Sequence, residues 1–340
     1  MNDDNSTMFS NGYNISDVTE GTVYGNLSKA YGNAMFGLNR HDIQDTRESP
    51  KDHVGFTFFT RPMLNLQLNN IKNDRLLYKY MTTKHNTVEA YCRSMLDRLL
   101  VNTESLHCPM ADNLSAFIPI LSANLLTLSG FIDVSIDSYV SPAGSRKQQY
   151  NILDGTDELN ESIDLTATFK NTYEDAVVTL FNLWTRYMVS AKEGILSPHV
   201  GFLARRLVDS HSRIFRLVMT EDKRYVKRIA ATGPIYPDVN SVGKYFDVNE
   251  GRAYSEETRT HSIKFKCMGV EYNDPILVRE FNSTVGFFNP MMRAVNKGKD
   301  PASVGLMKLN PMGETTIQFK GYPRINESSN ELEWYVEIRK

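Results

Sequence analysis

Apolar positions along the chain change period several times, and each change marks an element. His53–Thr60 is a short continuous apolar run closed by Arg61-Pro62, which predicts a strand ended by a residue without an N–H. From Thr87 the pattern becomes helical. Val88, Tyr91, Cys92, Met95, Leu96, Leu99 and Leu100 recur at three- and four-residue spacing behind Asn86 or Thr87 as N-cap. Gly130 opens an alternating stretch, with Ile132, Val134, Ile136 and Val140 facing one way, which predicts a half-buried strand. After the polar, acidic stretch 141–164, Leu165–Lys170 predicts the returning strand of a long-looped hairpin.

A second helix is expected from Thr172, where Thr172-x-x-Asp175 resembles a capping box, with a broad stripe from Ala176 to Ala191 and a stop at Gly194 and Pro198. From Ser212 onward the chain reads as β. Arg213–Thr220 and Arg224–Thr232 flank the polar turn 221–223, His261–Val270 alternates, and Thr315–Lys320 with Glu331–Arg339 suggests a terminal hairpin. In the last segment Leu332, Trp334, Val336 and Ile338 should share the inner face. The sum is an α+β chain of antiparallel β-hairpins with a few packed helices and an extended N-terminal arm, without the β-α alternation of a doubly wound sheet.

The domain reading has three parts. Residues 1–50, rich in Asn, Asp, Ser and Gly with scattered single aromatics, form an arm that is either partly disordered or laid across a neighbour. Residues 51–205 form an α+β domain carrying the loop 141–164. Residues 206–340 form a β-rich domain, either separate from or continuous with the preceding one.

Bulk properties narrow the function classes. A net charge of -2 over 340 residues supplies no global field for nucleic acid or an anionic membrane. No stretch reaches the roughly 18 apolar residues of a membrane span. The N-terminus lacks a basic start and apolar run, and three widely spaced cysteines suit a reducing compartment such as a cytoplasm.

Phosphate loops, nucleophile elbows and closely spaced metal pairs are absent, so no cofactor or metal is expected. Asp209-Ser210-His211 and His107-Cys108 hold reactive residue types, but adjacency does not build a catalytic line. A hydrolase with an unrecognised site stays as an alternative. The acidic loop, with Asp154, Asp157 and Glu158, fails the calcium-loop spacing and suits a solvated or partner-facing surface. Arg205–Arg228 is locally basic. On strands, Arg213 and Arg216 point oppositely while Arg224 and Arg228 share a face, which fits an acidic neighbour better than nucleic acid.

Gly55–Leu66, GFTFFTRPMLNL, and Ile214–Pro237, IFRLVMTEDKRYVKRIAATGPIYP, resemble stretches of the virion structural proteins of large tailed bacteriophages, among tail, baseplate and neck components. The resemblance implies a non-enzymatic subunit located in the virion. Its partners would be copies of itself and other virion proteins, with contact to DNA in the particle lumen as a further option and no membrane. On this view Arg61, Pro62 and Asn65, just after a strand, shape a turn or contact a neighbour, and the arm and the long loop are reaching elements. A neck or head component that touches nucleic acid is the alternative within the same class.

Overall fold

The computed structural model describes residues 55–340 except 83, 101–107, 109–110, 136–137, 156–160, 173, 206–207, 248–258, 310–319 and 339–340. The arm 1–50 and the segment Thr315–Phe319 therefore lie outside the described residues.

Strand β1 (Gly55–Phe59) forms where expected and pairs antiparallel with β6 (Ile214–Met219), Phe59 opposite Ile214 and Gly55 opposite Val218. Strand β6 continues into β7 (Val226–Thr232) through the predicted polar turn, and β10 (Val270–Tyr272) completes the sheet in the order β1-β6-β7-β10. Side chains alternate across a strand, so consecutive residues enter different surroundings. Phe59 and Ile214 join one apolar core, while Phe58 and Phe215 join another. This sheet is thus packed on both faces.

The first core is closed by helices α1 (Val88–Leu96) and α3 (Ala176–Lys192) and by a second sheet. Thr87 caps α1 as its sequence position predicts, its hydroxyl accepting the Ala90 N–H at 3.2 Å. The helix stops at Leu96 and not at Leu100, because Asp97 leaves the helical conformation and accepts the N–H groups of Leu66 and Leu99. For α3, the Thr172 hydroxyl accepts the Ala176 N–H at 3.2 Å, while Asp175 makes no side-chain cap.

The second sheet has the order β2-β5-β9-β8, formed by β2 (Leu125–Ser129), β5 (Ser162–Lys170), β9 (Thr260–Met268) and β8 (Ile235–Asn240). Leu165, Ala167 and Phe169 of β5 and Ile263, Phe265 and Cys267 of β9 point inward, as their alternation predicts. Pro237 is accommodated because β8 is an edge strand with a bulge there. A short helix, α2 (Pro119–Asn124), leads into β2.

The strand predicted over residues 130–140 is corrected. The partner of β5 is β2, upstream of Gly130, and Val134 and Val140 are exposed. Gly130 has φ of 106°, and a Cβ there would lie 2.3 Å from the Asp164 carbonyl, so the strand ends where that approach needs glycine. The connection to β5 then carries its own two-stranded ribbon, β3 (Ser138–Val140) with β4 (Asn151–Leu153), which pairs with no other described strand.

The second core holds two helices where β structure is expected from the sequence. Helix α5 (Pro275–Phe288) starts behind Asp274, which caps the Ile276 N–H at 2.8 Å, and α6 (Pro290–Asn296) starts behind Asn289, which caps Met291 at 2.9 Å. Each has proline at its first position, where no N–H is required. Leu277, Val278, Phe281, Val285 and Phe288 form the buried stripe of α5.

Behind them, β11 (Leu306–Lys308), β13 (Leu332–Glu337) and β12 (Gly321–Ile325) form a third sheet in the order β11-β13-β12. The terminal hairpin exists, but its first strand is Gly321–Ile325, directly before the polar loop. Central in its sheet, β13 buries Glu333 and Tyr335 as well as Leu332 and Val336. A remaining short helix, α4 (Val200–Arg205), follows Pro198.

The turn from β7 to β8 rests on a close approach. A Cβ on Gly233 would sit 1.9 Å from the Met268 carbonyl oxygen, and the Gly233 N–H donates to Gly269. Gly233→Ala should therefore lower unfolding stability by about 2–4 kcal/mol. Chemical denaturation reads this, and an unchanged midpoint would show that β7, β8 and β9 can separate freely.

Candidate functional site

Arg61 turns inward from the end of β1. It is 2% exposed, and its guanidinium donates to five backbone carbonyls. Nε reaches Met95 at 2.7 Å, Nη2 reaches Ser94 at 2.5 Å, and Nη1 spans Asp112, Asn113 and Ser115 at 3.0–3.3 Å. Burial lowers its pKa to about 10, with the Asp112 charge opposing that effect, so it stays cationic at neutral pH. Pro62 is buried beside it. Asn65 binds the Ser197 carbonyl at 2.8 Å through Nδ2. These three residues knit the subunit together.

The basic stretch disperses in the same way. Arg213 pairs with Glu280 at 2.6 Å and Glu271 at 3.6 Å. Arg216 donates to the Thr57 hydroxyl at 2.9 Å and is lowered in pKa by burial. Arg224 binds Glu331 at 3.0 Å. Arg228 is exposed beside a cleft shared with Arg279 and Glu327. The four arginines occupy four environments and build no common cationic face.

The reactive pairs found in sequence also part company. Asp209 accepts the Tyr187 hydroxyl at 2.5 Å, His211 stacks on Tyr236 with centroids 5.7 Å apart, and the Ser210 carbonyl accepts the Trp184 indole N–H. Cys108 is buried, and His107 lies outside the described residues. Among the described residues no three His, Cys, Asp or Glu side chains are placed to hold a metal ion, and no helix is long and apolar enough to cross a membrane.

Two buried carboxylates organise the interior near α3. Asp97 binds His199 at 3.1 Å. Burial opposes charge on that imidazole, but Asp97, the Leu64 carbonyl and Asp209 together raise the His199 pKa. Asp74 accepts from Arg186 at 2.9 Å and from Ser190. Burial alone would raise the Asp74 carboxyl; Arg186, Ser190 and the Leu76 N–H together hold it below its ordinary value.

Apolar side chains are also exposed at the surface. All six strand residues of the ribbon are exposed. Tyr139 pairs with Ile152, and Tyr150 lies one step further on the same face, hydrogen-bonded through its carbonyl to the Ser141 N–H. Val140 and Leu153 occupy the other face. Asp154 is exposed at the foot of β4, whereas Asp157 and Glu158 lie outside the described residues. The sequence reading picked out the acids of this loop and missed its tyrosines. Their signal is the near-mirror pattern Tyr139-Val140 and Tyr150-x-Ile152-Leu153 around Pro142-Ala143-Gly144.

Two cavities open elsewhere. One, of about 740 Å³, lies among Phe56, Phe58, Phe117, Leu126 and Trp334. The other, of about 630 Å³, lies among Met63, Phe202, Phe287 and Phe288, with Thr60, Asp209 and His211 also lining it.

The basic residues are thus dispersed, while the ribbon is exposed along both of its strands. A family model described as "Putative phage tail tube protein" matches residues 3–340. The chain belongs to this phage tail tube family. It is a structural subunit of a tailed-phage virion, and within the tail, baseplate and neck group the family places it in the tail tube.

No curated protein matches the chain. Among solved structures, it is similar to the tube-terminating cap of the anti-feeding prophage, at 11% identity and TM-score 0.29, covering 47% of this chain and 83% of that one. It is also similar to the sheath/tube terminator of an extracellular contractile injection system in its extended state, at 10% identity and TM-score 0.29, covering 46% and 87%. Overlaps at these scores carry no structural weight.

Two outcomes follow for this tail tube protein. Arg61→Lys keeps the charge but loses the planar fork, stranding buried carbonyls, and should cost on the order of 3–5 kcal/mol in denaturant unfolding; a loss below 1 kcal/mol would show that the clasp is dispensable. Because the Asp74 pKa is depressed in the folded state, its contribution is present above the ordinary carboxylate value of 3.8 and lost as pH falls through the folded value. Asp74→Asn should therefore lower the melting temperature at pH 7 by several degrees and flatten its decline between about pH 5 and 2.

Proposed function

We propose that the ribbon 138–153 is the element through which this tail tube subunit binds a neighbouring copy of itself as the tube forms. Its exposed apolar strands carry the proposal. A lone two-stranded ribbon is marginal in water, because it has only one ladder of hydrogen bonds and no core. Here it presents Tyr139, Val140, Tyr150, Ile152 and Leu153 to solvent, with Tyr150 69% exposed. An apolar surface of that kind on a structural subunit marks a place of contact.

The ribbon's turn carries Arg146 and Lys147, with Lys147 at φ of 61°. These cations keep the tip soluble until the flanks are covered. The role involves no chemical step. Other virion proteins would meet the same surfaces at the ends of the tube, where no further copy is added.

Tyr150→Ser with Ile152→Ser removes apolar area from the ribbon without touching either core. The folded chain should keep its melting temperature within about 2 °C, since the sites are exposed. Tube yield, scored by sedimentation and electron microscopy of tails, should fall at least tenfold. Tubes of normal length and yield would remove the ribbon from the interface.

A further inference from the structure

The 630 Å³ cavity is ringed by an unusual amount of exposed apolar surface. Leu99, Phe202, Val208 and Phe287 line it, and Val200 and Leu203, 80% and 56% exposed, lie on the same short helix as Phe202. Polar groups line it too. The Thr60 hydroxyl is buried and has no hydrogen-bond partner, and Asp209 and His211 stand in the same lining. A lining that mixes apolar side chains with a carboxylate, an imidazole and a hydroxyl fits a side chain that is apolar along its body and polar at its end. Tyrosine has that form.

We infer that this cavity receives the Tyr139–Tyr150 face of the ribbon from a second copy of the subunit, which rests on the ribbon reading above. One chain thus carries both halves of the contact: a face with two exposed tyrosines flanking Ile152, and a recess lined by both aromatic and polar side chains. The larger cavity suits the ribbon less well, because its described lining contains no acidic acceptor for a tyrosine hydroxyl. The two halves are different surfaces, so the contact is head-to-tail. Such contacts propagate from copy to copy and close into rings when the rotation allows. Two buried tyrosines contribute about 150–250 Å² each, so this is one contact among several that hold a tube together.

Engineered cysteines test the pairing in assembled tails. The native cysteines are all buried and do not compete. Tyr150→Cys combined in one chain with Leu99→Cys, Leu203→Cys or Val208→Cys should, for at least one pair, give a ladder of covalent multimers on a non-reducing gel, while each single variant runs as monomer. Co-expressed single-cysteine chains should stop at dimers. Independently, Val200→Asp with Leu203→Asp should cut tube yield as strongly as the ribbon substitutions, at least tenfold, with the melting temperature unchanged. If the ribbon substitutions stop assembly while the recess substitutions do not and no pair cross-links, the recess is overturned and the ribbon reading stands. If the ribbon substitutions leave tubes intact, both readings fall.

Discussion

A single buried guanidinium holds three stretches of this chain in register. Arg61 leaves β1, fixes the last turn of α1 through Ser94 and Met95, and gathers the 112–115 loop through three more carbonyls. Those carbonyls end a helix and turn a loop, so no regular ladder satisfies them, and leaving them unmade in the interior is costly. A planar donor fork is the side chain that can serve several such acceptors at once. It lies at the boundary between the two cores, with Phe59 two residues before it in one core and Met63 two residues after it in the other.

From that boundary the rest of the architecture follows. Strand β1 and its partner β6 feed alternate side chains to opposite sides, so each of the two cores depends on the same pair of strands. Phe58, Phe117, Phe215 and Phe281 interlock on one side with centroids 4.8–6.4 Å apart, and Phe59, Phe169, Phe181 and Phe265 on the other at 5.6–6.3 Å. A change of register in β1 would exchange the two sets and bring both cores down together.

Elements whose environment is simple are legible in the sequence. Strands β5 and β9, buried on one face, and helix α3, with its broad stripe, match their periodicity. Misreadings cluster where the period is mixed. Residues 130–140 alternate well enough for a strand, but the decisive fact is Gly130 lying against a carbonyl that only the fold brings near. The helices α5 and α6 are announced by Asp274-Pro275 and Asn289-Pro290, cap signals hidden within a region rich in β-branched and aromatic residues. The place of Arg61 just after a strand is legible in the sequence, but nothing local shows that its side chain faces inward. The acids of the 141–164 stretch stand out in the sequence, whereas only the strand pairing shows that Tyr139 and Tyr150 share an exposed face.

An exposed apolar ribbon is a hazard for a free subunit, since unpaired strand edges invite indiscriminate pairing. Three features restrain it here. Each ribbon strand is only three residues long, which offers a short template. Arg146 and Lys147 at the turn repel a like ribbon approaching tip to tip. The tyrosines present hydroxyls, so their best partner is a recess with polar atoms in its lining and not another bare apolar edge. Pairing of ribbon with ribbon would leave those hydroxyls without fixed partners, whereas Thr60 and Asp209 offer them. On the proposed pairing, specificity comes from the polar minority of an apolar contact, and that minority makes the contact directional.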